Sequence, residues 1–154
     1  TKPTLNGKLD EPCWNTDGVR LAAADGHPAT ARFAHDDRFL YVAVTAVHPP
    51  GQQAAKATAR SRDADLRGHD RVELRIDLDR DRGSFYRLKV DHRGCVAEDC
   101  TGDATWNPNW FVAVDPTPAG WTAEVAIPLA ELTGSPTAGQ TWGVDVRRVV
   151  PGVG

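Results

Sequence analysis

The stretch that decides the fold runs from Gly120 to Leu132 and reads Gly-Trp-Thr-Ala-Glu-Val-Ala-Ile-Pro-Leu-Ala-Glu-Leu. Apolar and polar residues alternate over its first half. This pattern predicts a strand with every second residue from Trp121 to Ile127 on one face. A proline cannot donate to a central ladder, so the strand is expected to end at Pro128. The four residues 129–132 then predict one short helical turn that begins beside this proline.

Similar short segments, separated by turn residues, occupy the rest of the chain. They predict strands at Thr30–Ala34, Phe39–Val47, Arg71–Leu78, Ser84–Asp91, Cys95–Glu98, Trp110–Val114 and Trp142–Val150. Strong helical periodicity is missing, which favours an all-β sandwich. The polar, alanine-rich stretch Gln52–Gly68 has no period and predicts a long loop, with room for a short helix.

Length and charge limit the classes of protein to which the chain can belong. A chain of 154 residues predicts a single domain over residues 1–154. The net charge of −3 disfavours a nucleic-acid partner, and no run of about 18 apolar residues predicts a membrane span. Because the chain starts at Thr1 without a signal peptide, we expect a mature fragment or a domain excised from a larger protein. We expect it to be a monomer.

Three cysteines give an odd count. Cys95 and Cys100 are near neighbours, and a disulfide across a turn stays open if the compartment is oxidising. Cys13 adjoins Trp14 and is interpreted as a small buried thiol. No pair has the spacing of a zinc knuckle.

Charged residues alternate with the apolar ones on three predicted strands. They are Glu73 and Arg75, Arg87 and Lys89, and Asp145 and Arg147. If the strands are neighbours, these side chains form one polar sheet face. Such a face suits sugar hydroxyls, which both donate and accept hydrogen bonds, and charged partners make the stronger bonds. The alternative is a solvated face with cross-strand ion pairs.

Aromatic rings supply the flat apolar surface that sugars also need. Trp106 lies in a polar, turn-rich stretch, where it is either a binding platform or a lid over the core. Trp14, Trp121 and Trp142 lie in apolar patterns and are predicted to be structural.

Asp77, Asp79 and Asp81 precede Gly83 at alternate positions. Hard oxygen ligands at this spacing suit calcium, but the nearby arginines favour a metal-free hairpin turn. The common catalytic signatures are missing. An acid pair of Glu73 and Asp77 is disfavoured for glycoside hydrolysis, because both lie among arginines and a general acid needs a raised pKa.

Five segments, in order along the chain, resemble the family 9 carbohydrate-binding modules and their relatives. They are Leu5–Trp14, Phe33–Val44, Asp70–Asp77, Gly120–Leu132 and Trp142–Arg148. The first resembles the family's opening "(I/L)DGxLDExxW", the third its "DdvElfiD" strand and the fourth its "GWxxEvaIPxxxL". Each match is weak alone, but together they cover nearly the whole chain.

The resemblance implies a β-sandwich of jelly-roll type that binds saccharide and catalyses nothing. It implies a sugar clamp of two tryptophans, but the region that matches the first, Asp65–His69, contains none. Asp70 and Glu73 match the family's polar partners, and Lys89 replaces a basic residue. Together with the outward charges and the aromatic residue considered above, the predicted carbohydrate site comprises Asp70, Glu73, Arg75, Arg87, Lys89, Trp106 and Asp145. Relatives carry structural calcium, which would fall here on Asp77, Asp79 and Asp81.

We therefore expect a secreted or periplasmic carbohydrate-binding module that helps a larger polypeptide act on polysaccharide, with neighbouring domains as further partners. A first alternative is a structural or protein-interaction sandwich that has lost its sugar clamp. A second is a haem-binding or redox-partner domain, since related sandwiches bind haem. That alternative would rest on two of His27, His35, His48, His69 and His92, because the chain has no methionine. No cofactor is expected, apart from the calcium considered above.

Overall fold

Strands make up almost all the regular structure of the chain. The computed structural model describes residues 2–23, 26–49, 62, 65–81, 83–133 and 139–152. Its strands are β1 (Val19–Arg20), β2 (Ala29–His35), β3 (Phe39–Val47), β4 (Arg71–Asp77), β5 (Tyr86–Asp91), β6 (Val96–Cys100), β7 (Phe111–Thr117), β8 (Gly120–Pro128) and β9 (Gly143–Val149). A 3-10 turn spans Pro12–Trp14, and helix α1 spans Leu129–Leu132. The predicted all-β class and the helical turn after β8 are confirmed.

The strands form two antiparallel sheets. Sheet A has the order β1-β2-β3-β8-β7, and sheet B has the order β6-β5-β4-β9. In sheet A, β8 pairs along its whole length with β3, from Val47 opposite Gly120 to Phe39 opposite Pro128. The chain leaves the ladder at this proline, and the N–H of Leu129 donates to the carbonyl of Arg38 at 2.9 Å. The predicted β-sandwich is confirmed.

The main core lies between the sheets. Sheet A contributes the alternate residues Trp121, Ala123, Val125 and Ile127 of β8 to this core. Sheet B contributes Val72, Leu74 and Ile76 of β4 and Leu88 and Val90 of β5. Alternation in the sequence therefore identified the inward faces of β8, β4 and β5.

A second, smaller core covers the outer face of sheet A. Trp14 packs there with Tyr41, Ala43 and Ala126, so the N-terminal segment lies across β3 and β8. Glu124 anchors this segment, since its carboxylate accepts from the Trp14 Nε1 at 3.1 Å and from the Gly7 N–H at 2.6 Å. Burial raises the pKa of Glu124 above its ordinary value, although these hydrogen bonds oppose the shift. Both faces of sheet A are thus occupied.

Two buried polar ties join the sheets. Arg148 of β9 reaches across to the carbonyl of Val47 in β3 at 2.6 Å. Its guanidinium also donates to Asp70, which accepts the Nε1 of Trp121 as well, at 3.0 Å. On the opposite edge, Glu98 of β6 accepts the Nε1 of Trp110 at 3.1 Å. These directional bonds connect sheet B with sheet A or with the segment that leads into it.

Two further expectations concern the cysteines and the long loop. All three cysteines are free thiols. Cys95 and Cys100 flank the extended strand β6, and five residues of strand span roughly 16 Å, far more than a disulfide can bridge. The disulfide alternative is therefore wrong. Most of the predicted loop over Gln52–Gly68 lies outside the described residues.

Candidate functional site

Outward side chains form two adjacent rows across sheet B. One row contains Glu73, Lys89, Ala97 and Arg147, and the next contains Arg75, Arg87, Asp99 and Asp145. We call these eight residues the polar face. The strands β5, β4 and β9 are neighbours, so the condition on which the single polar sheet face depended is met. That this face binds saccharide remains a prediction.

Glu73 lies at the centre of an ion-pair network. Its Oε1 accepts from the Arg71 Nε at 3.0 Å, and its Oε2 accepts from the Arg147 guanidinium at 2.6 Å. The Glu73 residue is only 4% exposed. Burial opposes ionisation, but the hydrogen bonds from Arg147 and Arg71 outweigh it and hold the pKa of Glu73 below its ordinary value. A carboxylate in this state is a fixed anion and not a general acid.

A second pair lies in the next row. The Arg87 Nε donates to Asp99 Oδ1 at 2.7 Å, and the other oxygen of Asp99 accepts the N–H of Gly102 at 2.8 Å. These bonds overcome burial and hold the pKa of Asp99 below its ordinary value. Lys89 lies between the two pairs, and burial together with the neighbouring Arg87 lowers its pKa.

An aromatic ring borders the polar face. Phe85 precedes β5, and the Arg75 guanidinium lies over its ring at 4.3 Å from the centroid. Stacked cation and ring form a flat surface, part apolar and part charged. Phe85 was not among the residues singled out from the sequence. It lies two residues before Arg87, so the alternation along the strand places it on the same side as the polar face.

Two of the predicted site residues lie away from the polar face. Asp70 precedes β4, and its carboxylate accepts hydrogen bonds from Arg148 and Trp121 in the buried tie. The ring of Trp106 contacts that of Tyr86 in a tilted arrangement, with 4.6 Å between ring centroids, and packs on the main core. Tyr86 points inward, so Trp106 serves as the lid of the two alternatives considered for it. All five tryptophans of the chain lie off the polar face, in or against the two cores.

The acidic turn after β4 satisfies its own carboxylate. Asp81 Oδ1 accepts the N–H groups of Gly83 at 2.8 Å and Ser84 at 3.1 Å. Within the part of the chain that the structure describes, no three side chains of histidine, cysteine, aspartate or glutamate are grouped to hold a metal ion. The calcium site predicted on Asp77, Asp79 and Asp81 therefore finds no support in the geometry of the described residues.

Four histidines gather near the Arg148 tie. His69 Nδ1 lies 3.4 Å from His92 Nε2. His48 Nδ1 lies 3.3 Å from the Arg148 guanidinium, and His27 is buried at 6% exposure. Axial ligands stand on opposite sides of a haem, whereas the nitrogens of His69 and His92 face each other at contact distance. This pair is not arranged as the bis-histidine site that the haem alternative requires.

The Glu73 network predicts a pH-dependent contribution to stability. Because the folded pKa lies below the ordinary value of 4.5, ionised Glu73 stabilises the fold above that pH and loses the effect as pH falls through the folded pKa. Glu73→Gln should therefore lower the free energy of unfolding at pH 7, and the gap to wild type should narrow below pH 4.5. Urea unfolding at pH 7, 5 and 3.5 measures this. The matched control is Asp145→Asn, an exposed acid of the same face, whose effect should be small at every pH. A gap for Glu73→Gln that stays constant across this range contradicts the network.

Comparison with known proteins identifies the family. A family model described as carbohydrate family 9 binding domain-like matches residues 7–149. The chain belongs to this family. The prediction of a family 9-like carbohydrate-binding module is thereby confirmed, and the match spans both sheets of the sandwich.

The family 9-like chain is also similar to individual proteins. It is 26% identical over 143 residues to exoglucanase XynX of Acetivibrio thermocellus, an alignment that covers 85% of this chain and 12% of that protein. Its fold is similar to a family 9 carbohydrate-binding module of Caldicellulosiruptor kristjanssonii in complex with cellotriose. The TM-score is 0.68 at 19% identity, covering 97% of this chain and 77% of that one. The same module in complex with glucose gives a TM-score of 0.68 at 19% identity, over 95% and 73% of the two chains.

Among the described residues, none of the helices has both the length and the apolar character that crossing a bilayer demands.

Proposed function

We infer that this domain binds a saccharide on the polar face of sheet B and catalyses no reaction itself. The observation that carries the inference is the concentration of four basic and three acidic side chains in two adjacent rows of one sheet face. The mixture supplies both donors and acceptors to sugar hydroxyls. Family membership supports the same function, as do relatives of the same fold in complex with cellotriose and glucose.

The state of two acids on the polar face supports the proposal that the domain is non-catalytic. Glycoside hydrolysis needs one carboxylic acid with a raised pKa. On the polar face the pKa values of Glu73 and Asp99 are both held below their ordinary values by arginines. Binding and presentation of a saccharide is the chemistry that these groups support.

The wider setting is part of the proposal. XynX is about eight times longer than the stretch it shares with this chain, since the alignment covers 12% of it. We place the domain in a larger polypeptide that acts on polysaccharide, beside other domains. Because polysaccharides too large to enter a cell must be bound outside the cytoplasm, the location proposed is extracellular or periplasmic, and the domain is proposed to act as a monomer.

Calorimetry against neutral and uronic-acid-containing fragments of xylan, cellulose, mannan, galactan and pectin tests the function. We expect a dissociation constant of roughly micromolar to millimolar, about −8 to −4 kcal/mol. Lys89→Ala and Arg75→Ala should each weaken binding, because both side chains belong to the polar face and neither has a carboxylate partner among the described residues. The matched control is Lys8→Ala, an exposed lysine of the N-terminal segment.

Either of two results would contradict the proposal. If calorimetry detects no binding to any fragment at millimolar concentration, the protein-interaction module is favoured. The placement of all five tryptophans off the polar face is consistent with that alternative. Equal binding by wild type, Lys89→Ala and Arg75→Ala would move the site away from the polar face.

A further inference from the structure

Two cations of the polar face lack an acidic partner. The side chain of Lys89 makes no hydrogen bond or salt bridge with any described residue. The Arg75 guanidinium contacts the ring of Phe85 and makes no salt bridge with a described carboxylate, although Asp145 lies opposite Arg75 on β9. The other arginines of the polar face, Arg87 and Arg147, are both paired. The polar face thus has unused positive charge, in a chain whose net charge is −3.

The acids that flank Lys89 are already occupied. Lys89 lies directly opposite Glu73, and Asp99 is one row away. All four oxygens of these two carboxylates accept hydrogen bonds from other groups: those of Glu73 from Arg71 and Arg147, and those of Asp99 from Arg87 and the N–H of Gly102. None of these bonds comes from Lys89, whose ammonium group has three donors to offer to a ligand.

The surroundings of Lys89 favour an anion over a neutral acceptor. Burial and the neighbouring Arg87 disfavour its charged form and outweigh the attraction of Glu73 and Asp99, so the pKa of Lys89 is lowered. A negatively charged group placed against the ammonium would offset both effects. On its other side Lys89 faces Ala97, whose methyl group leaves room for a ligand.

A second unpaired donor lies within the length of one sugar. Arg75 and Lys89 are diagonal neighbours on adjacent strands, since Arg75 is opposite Arg87 and Glu73 is opposite Lys89. Diagonal residues of an antiparallel pair lie roughly 7–8 Å apart. A single pyranose ring with its substituents can reach from one to the other.

We propose that the preferred ligand is an acidic saccharide, with the carboxylate of a uronic acid residue against Lys89 and the sugar ring extending towards Arg75 and Phe85. This rests on the proposed function, because it specifies the class of saccharide bound by the same polar face. A uronate supplies the anion that this face lacks, whereas glucose or cellotriose supplies hydroxyls alone.

The experiment compares ligands that differ in charge and not in skeleton. One pair is cellotriose and its C6-oxidised form, and the other is trigalacturonate and its methyl ester. Binding is measured by calorimetry at two salt concentrations to wild type, Lys89→Ala, Lys89→Arg and Lys8→Ala. We expect the charged member of at least one pair to bind about tenfold more tightly at low salt, since charge-assisted hydrogen bonds are about twice as strong as neutral ones. The preference should shrink at high salt, disappear in Lys89→Ala, and persist in Lys89→Arg and Lys8→Ala.

The outcomes separate the two proposals. If the neutral member of each pair binds equally well or better, the acidic specificity is overturned while saccharide binding stands. If the charged member is preferred but Lys89→Ala keeps the preference, the assignment to Lys89 is overturned. If neither member of either pair binds, and the other fragments are also silent, saccharide binding itself is overturned. The side chain of Lys89 makes no hydrogen bond or salt bridge with a described residue. Lys89→Ala should therefore leave the melting temperature near that of wild type.

Discussion

Trp121→Ala is expected to lower the free energy of unfolding by about 3–5 kcal/mol, the range found for large aromatic side chains removed from a core. The indole is fully buried, at 0% exposure, in the centre of the main core. Its removal also takes a hydrogen bond from Asp70, which the Nε1 of Trp121 contacts at 3.0 Å. Urea unfolding measures the loss.

Trp121→Phe is the matched variant, since it keeps an aromatic ring in the core and removes the N–H. It should lower the free energy of unfolding less than Trp121→Ala does. Because both variants lack the N–H, the difference between them measures the packing of the ring and not the bond to Asp70. If Trp121→Ala melts within about two degrees of wild type, the ring is not part of a tightly packed core.

Arg148→Ala is expected to lower the free energy of unfolding by about 3–5 kcal/mol, because removing one member of a buried ion pair leaves the other uncompensated. The Arg148 side chain is 0% exposed and that of Asp70 is 11% exposed. The substitution also strands the carbonyl groups of His27 and Val47, which accept from the guanidinium at 3.0 Å and 2.6 Å.

The adjacent residue provides the control for Arg148. Arg147 points to the other side of β9, with 51% of its side chain exposed, and its partner Glu73 keeps the bond from Arg71. Arg147→Ala should therefore cost about 1 kcal/mol or less. Equal losses in the two variants would contradict the buried tie. Arg148→Met retains most of the volume and isolates the contribution of charge.

The period of the strands predicted most of the fold and the make-up of the polar face. Alternation along Arg71–Asp77 and Tyr86–Asp91 fixed which residues point outward, and the observed pairing places them in common rows. The strand Phe39–Val47 was predicted with its observed bounds. Local pattern was sufficient in these cases because each strand has one apolar side.

The sequence could not predict contacts between residues distant along the chain. Arg148 and Glu98 occupy inward positions where the pattern expects apolar residues, and their partners come from other strands and loops. Asp70 matched a binding residue by position, but the pairing that directs it inward depends on Arg148, 78 residues away. Trp106 faced two alternatives for the same reason, since only the fold shows that Tyr86 lies beneath it.

The two polar ties between the sheets have a mechanical consequence. The hydrophobic effect is non-directional, so apolar surfaces fix the alignment of two layers only through the fit of their packed side chains. The bonds from Arg148 to the Val47 carbonyl and from Trp110 to Glu98 act at opposite edges of sheet B, and each has a fixed direction. Together they fix how the two sheets are aligned, because two bonds at opposite edges prevent a rotation that a single bond would permit. A ligand on the outer face of sheet B would then bind to a sheet that is already held in place. Little affinity would be lost to ordering of the protein on binding.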